Sequence, residues 1–138
     1  PMIGFGQSVT SKIKRIAKKN VEVFVSSKFD NTLGFKITAD KALQGDFGIS
    51  YDEDKCKVIS DKISHALLAF GKDVVLEGKC NTIKIRIRWD ALNELKKLSG
   101  TIIDPQGRMV GSIQYNGPYL PKSHENITKA IAYKLSLQ

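Results

Sequence analysis

Residues 82–89 alternate without a break. Ile83, Ile85, Ile87 and Trp89 fall on one side of a strand, and Lys84, Arg86 and Arg88 fall on the other. Successive side chains of a strand point to opposite faces, so this segment requires a sheet with one buried face and one wet face. A purely parallel sheet, covered on both faces, would read as a continuous apolar run instead. Helices must therefore lie on one side only, and the chain is expected to be α+β. Trp89 belongs to the apolar side, which places it in the core and not on a ligand-facing surface. The basic row opposite can engage a polyanion, or it can simply guard a solvated face against aggregation.

Other segments supply the rest of such a sheet. Val21, Val23 and Val25 alternate with Glu22, Phe24 and Ser26, and Leu33, Phe35 and Ile37 alternate with Gly34, Lys36 and Thr38. Asp30-Asn31 is expected to turn this pair into a hairpin. Phe47, Ile49 and Tyr51 form a third alternating run. A later hairpin joins Thr101-Ile102-Ile103 to Met109–Ile113 through Asp104-Pro105-Gln106-Gly107, a strong type I turn pattern. Residues 90–98 suggest a helical turn or an irregular connection, since Leu92, Leu95 and Leu98 recur every third position. Apolar residues at helical spacing mark helices over 56–71 and 124–137, the first closed by Gly71 and the second capped by Ser123. A short helix is expected over 8–19, with Val9, Ile13, Ile16 and Ala17 on its apolar stripe. Together these predict a single domain over 1–138. Its antiparallel or mixed sheet has about five to seven strands, with the two main helices on one face.

The net charge of +8 is unevenly placed. Lys12, Lys14, Arg15, Lys18 and Lys19 crowd the first twenty residues, where no acid occurs, and the rest holds 17 basic against 14 acidic groups. That distribution argues against a domain built throughout for phosphate backbones. The N-terminal helix either contacts an anionic membrane surface or nucleic acid, or packs on its own domain with a solvated basic face. Together with Lys84, Arg86 and Arg88, these five are the candidate anion-binding residues. No apolar run approaches the length of a membrane span. Residues 1–20 hold no apolar segment of a secretory leader, and the Pro-Met start leaves room for a leader removed upstream.

The two cysteines add a distance constraint. A helix over 56–71 travels about 24 Å at 1.5 Å per residue. Residues 74–80, read as a strand, travel about 23 Å at 3.3 Å each. If the strand doubles back along the helix, Cys56 and Cys80 reach the same end. A disulfide is then geometrically possible and contributes about 3–4 kcal/mol for a loop of this length. Such a bridge implies an oxidising compartment. The alternative is a pair of reduced, buried thiols.

Catalytic motifs are lacking. His65 and His124 stand far apart with no zinc-binding spacing, and no nucleophile elbow or phosphate loop occurs. Asp52-Glu53-Asp54 precedes the central helix, but adjacent carboxylates cannot converge on one ion without further ligands, and negative charge there already complements the helix dipole. A Cys–His nucleophile pair would need thiols that a disulfide consumes. No enzyme activity, metal or cofactor is expected.

From residue 58 onward, short motifs follow one another in a recognisable order. The helix Val58–Phe70 ends in Gly71 and leads into Lys72-Asp73-Val74-Val75-Leu76. Then come a long strand, the segment Asp104-Pro105-Gln106-Gly107-Arg108-Met109-Val110-Gly111, and a closing helix with Ala130-Ile131-Ala132-Tyr133-Lys134-Leu135. This order resembles small bacterial envelope lipoproteins carrying a domain like the amino-terminal domain of TolB. The resemblance implies a non-catalytic assembly or docking module, periplasmic or associated with the outer membrane, whose partner is another envelope protein. The competing expectation is an anionic-surface module that engages acidic lipid, or less readily nucleic acid, through its basic N-terminal helix.

Overall fold

A computed structural model describes residues 2–41, 53–89, 95–115 and 124–138, with side chains described from residue 11 and again from residue 55. Eight elements follow in order: α1 (Met2–Lys19), β1 (Val21–Val25), β2 (Phe35–Lys41), α2 (Glu53–Ala69), β3 (Asn81–Trp89), β4 (Leu95–Ile103), β5 (Met109–Tyr115) and α3 (His124–Ser136). The strands form one mixed sheet in the order β1-β5-β4-β3-β2. Only β2 and β3 run parallel, and α2 is the crossover between them, as parallel neighbours require. The α+β class and the five-strand sheet agree with expectation. The alternating run at 47–51 lies outside the described residues.

β3 is the strand on which the architecture rests. Its buried side chains, Ile83, Ile85, Ile87 and Trp89, alternate with exposed Lys84, Arg86 and Arg88. The cross-strand register sets Ile85 beside Gly100 and Ile113, and Ile87 beside Leu98 and Tyr115. All three helices cover this apolar face: Ile59, Ile63 and Leu67 of α2 and Ile127, Ile131 and Leu135 of α3 are fully buried against it. α1 packs on α3 and β1, burying Ile13, Ile16 and Ala17.

Four expectations need correction. Residues 21–26 and 33–38 do not form a hairpin, because β1 and β2 occupy opposite edges of the sheet. Asp30 does turn the chain, its carboxylate accepting from the Thr32 amide and hydroxyl at 2.9 and 2.6 Å. The turn delivers β2 to β3, however, while β1 pairs antiparallel with β5. Second, the expected strand over 74–79 reduces to one bridge, Val74 with Phe35, followed by bends and a left-handed Gly78. Third, segment 90–98, expected as a helical turn or an irregular connection, contributes the start of β4. A bulge opposite Arg88 and Trp89 inserts one extra residue, so Leu95 and Leu98, three apart, both point into the core.

Fourth, Cys56 and Cys80 are not joined by a disulfide. The bridge depended on a return strand that does not exist. Cys56 sits in the first turn of α2, and the helix continues thirteen residues to Ala69, about 20 Å at 1.5 Å each. Cys80 stays near the far end, where the Asn81 amide donates to the Gly34 carbonyl at 2.8 Å and the Asn81 side-chain amide donates to the Asp30 carbonyl at 2.9 Å. A disulfide needs Cα atoms within about 7 Å. Both thiols are buried.

The β4–β5 turn matches its pattern closely. The Asp104 carboxylate accepts from the Gln106 and Arg108 amides at 3.0 and 2.9 Å and from the Arg108 guanidinium at 2.7 Å, while Gly107 takes φ 84°. Burial pushes the Asp104 carboxyl up, but its bonds from Arg108 and Gln106 outweigh that and hold it below the ordinary aspartate range.

Candidate docking face

Among the described residues, no helix packs across the second face of the sheet. The register arranges that face in rows. Thr38, Lys84, Thr101, Ser112 and Phe24 stand side by side across all five strands. One row along are Asp40, Arg86, Ser99, Gln114 and Glu22, and beyond them Arg88 stands beside Lys97. Alternate residues of β3 are about 6.6 Å apart, so Lys84, Arg86 and Arg88 form a straight cationic ridge one strand in from the β2 edge. All three are exposed, and among the described residues none is in an ion pair. Lys84 and Arg86 rim a shallow depression of about 370 Å³ whose other walls include Ser99, Thr101 and Ile103. At the β1 edge Phe24 is 64% exposed, an unusual position for a large apolar ring. Aligned cations on β3, hydroxyls beside them, an aromatic at the β1 edge and carboxylates only on the two edge strands (Asp40 and Glu22) suit docking of an acidic surface.

The second group of sequence candidates is arranged differently. Lys12, Lys14, Arg15, Lys18 and Lys19 are all exposed on α1, but they radiate around a helix instead of sharing a plane. The apolar stripe beneath them, Ile13, Ile16 and Ala17, is committed to the protein's own core. These three residues are therefore unavailable for insertion into a bilayer, while Val9, the fourth residue of the expected stripe, has its side chain outside the described residues. The structure does not bring the α1 cations into the β3 ridge.

The histidines belong to the helix layer. His65 is exposed on α2. His124 opens α3 and meets Trp89 edge-on, with ring centroids 5.4 Å apart at 65°, while the Lys55 ammonium lies 5.9 Å from the Trp89 ring centroid. Burial pushes the His124 imidazole below its ordinary value, and Lys62 and Lys55 add to that shift. Among the described residues no three His, Cys, Asp or Glu side chains cluster so as to hold a metal. Glu53 and Asp54 fall in the first turn of α2, and their side chains, like all of Asp52, lie outside the described residues. No helix among the described residues is long and apolar enough to cross a membrane.

Sequence reasoning found the β3 ridge but missed its neighbours, Ser99, Thr101, Lys97 and Phe24. Each strand's alternation shows which residues share a face, but only the register shows which of them stand next to Arg86.

No protein-family model matches the chain, and no curated protein sequence matches it. Solved structures do. The chain is similar to PelC from Paraburkholderia phytofirmans, a dodecamer, at TM-score 0.54 and 10% identity, over 83% of this chain and 92% of that one. It is similar to a DUF4136 family protein from Bacteroides thetaiotaomicron at TM-score 0.55 and 8% identity, over 85% and 92% of the two chains. A minor lipoprotein from Acinetobacter baumannii aligns at TM-score 0.36 and 12% identity, over 74% and 92%. At these identities the likeness to the first two is one of fold. None of these three is named as a TolB domain.

Proposed function

We propose that this chain is a non-enzymatic interaction domain of the bacterial cell envelope that docks an acidic protein partner on its open sheet face. The observation that carries this reading is the ridge of Lys84, Arg86 and Arg88, exposed on a sheet face that no helix among the described residues covers. Like charges aligned in this way repel one another, and an acidic partner relieves that repulsion. The order of motifs from residue 58 supports the envelope assignment. A fold shared with PelC, itself a dodecamer, supports an assembly role over a catalytic one.

A second reading assigns the docking to a polyanion held by α1, supported by the five exposed cations of that helix. One experiment separates the two. A photo-crosslinking residue at Thr101 is introduced in cells into the wild type, a Lys84→Glu/Arg86→Glu/Arg88→Glu variant, and a variant with the five α1 cations changed to Gln. Crosslinking to an envelope protein that survives the α1 changes and disappears with the β3 reversal is the expected result. Unaltered crosslinking in the reversal variant refutes the sheet-face reading. Binding to DNA or anionic vesicles that collapses with salt, and is lost only with the α1 changes, establishes the second reading in its place.

A further inference from the structure

The helix layer contains an opening of its own, on the opposite side of the molecule from the sheet face. α1 and α2 both pack against α3 and flank it. Between them, against α3, a groove of about 350 Å³ remains, within the range of small-ligand sites. Sequence explains why it stays open. Ala66 and Ala69 lie three residues apart on α2 and are too small to reach α1, where Ile13 forms the opposite wall. Thr128 closes the floor, but its hydroxyl donates back to the α3 backbone carbonyls of His124 and Glu125 at 2.9 Å, so the floor offers no free donor. Phe70 continues the apolar lining at one end, with its ring against Tyr133 at 5.8 Å.

The rim is polar and carries surplus positive charge. Lys62 and His65 stand on the α2 side, Glu125 and Lys129 on the α3 side. Lys129 pairs with Glu125 at 2.8 Å, and the two ammonium groups hold the Glu125 carboxyl below its ordinary range. Two ammonium groups, Lys62 and Lys129, thus share the one carboxylate of Glu125, and the rim of the apolar trough keeps one positive charge in excess, on the Lys62 side away from the Lys129–Glu125 pair. A neutral apolar ligand would leave that charge unmatched, and a cationic amphiphile would be repelled by it. We propose that the groove binds a single-chain amphiphile with a monoanionic head, a medium-chain fatty-acid carboxylate. The chain lies along Ile13, Ala66, Ala69 and Phe70, and the carboxylate meets Lys62 and His65. This site uses no residue of the sheet face and stands independently of the docking reading.

The test is an NMR titration of the isotope-labelled full chain with decanoate below its micelle concentration, in parallel with decanol and decyltrimethylammonium. Saturable binding of decanoate is expected, with shifts centred on the Ala66, Ala69 and Thr128 amides. Lys62→Gln is expected to weaken decanoate about tenfold, the loss of one charge-assisted contact, and to leave decanol unchanged. Ala69→Trp, at an exposed position, is expected to fill the groove and abolish binding of both without changing the melting temperature. Three results overturn the proposal: no saturation with the wild type, decanoate bound no more tightly than decanol, or undiminished binding by Ala69→Trp.

Discussion

The two faces of this sheet are made by the same strands in the same register, yet they follow different rules. On the covered face, Ile83, Ile85 and Ile87 are at most 1% exposed, with small Ala39 and Gly100 on either side of Ile85 making room for its side chain. One residue along the same backbone, Lys84, Arg86 and Arg88 project into water, Lys84 between two threonines, Arg86 between Asp40 and Ser99, and Arg88 beside Lys97. The covered face is selected for volume, because a methylene added to or removed from a close-packed interior is felt throughout it. The open face is selected for charge and reach, and its residues contribute little to the fold. Stability and partner recognition thus reside on alternate residues of β3, and each can be altered without the other.

That separation can be broken by experiment, beginning on the covered face. Ile85→Ala removes three carbons from the middle of β3 and is expected to cost about 2–5 kcal/mol in a denaturant melt. A cost below about 1 kcal/mol would mean that this face is not close-packed there. Gly111→Ala comes next. An added Cβ would stand 2.7 Å from the Phe24 carbonyl oxygen and 3.0 Å from the Ile102 side chain, so β1 and β5 must move apart. A loss of about 1–3 kcal/mol is expected, with amide exchange accelerated first in β1.

At the rim of the covered face, His124→Ala removes the edge-on contact with Trp89 and is expected to cost about 0.5–1 kcal/mol. The pH dependence has a definite sign. The folded imidazole titrates below its ordinary value of 6.5 because burial and nearby Lys62 and Lys55 disfavour its charged form. Its contribution is therefore complete above that value and is lost as pH falls through the lowered folded value. His124→Phe should flatten the stability profile in that acid window; a wild-type profile that rises as pH falls there would contradict the assignment. The smallest stability effects belong to the open face. Lys84→Gln, Arg86→Gln and Arg88→Gln are each expected to change stability by less than about 0.5 kcal/mol. If the triple variant unfolds instead, the two faces are not separable.

Local patterns were legible wherever local geometry decides the outcome. The alternation of 82–89, the Asp104-Pro105-Gln106-Gly107 turn and the amphipathic stripes of α2 and α3 each specify an element through contacts a few residues apart. The core position of Trp89 followed from the same alternation, and Ile13, Ile16 and Ala17 on α1 were identifiable as a stripe before their burial was known. Of the candidate docking face, the charged ridge was readable and its surroundings were not.

Misreadings arose where the outcome depends on residues distant in sequence. The Val21–Val25 and Phe35–Lys41 strands look like a hairpin because Asp30 forms a real turn between them. Their pairing was decided by which edge of the sheet could bury each one, and β5 and β3 took them to opposite sides. The cysteine pair failed for the same reason. Matched lengths say nothing about direction, and the segment after α2 joined β2 at a single bridge instead of running back along the helix. By itself, the sequence determined that this chain makes a one-sided sheet with helices on its apolar face, because side-chain period is a local property of the backbone. Strand order, the separation of Cys56 from Cys80, the neighbours of Arg86 and the groove between α1 and α2 were decided only by the tertiary structure, because they depend on how distant segments share one core.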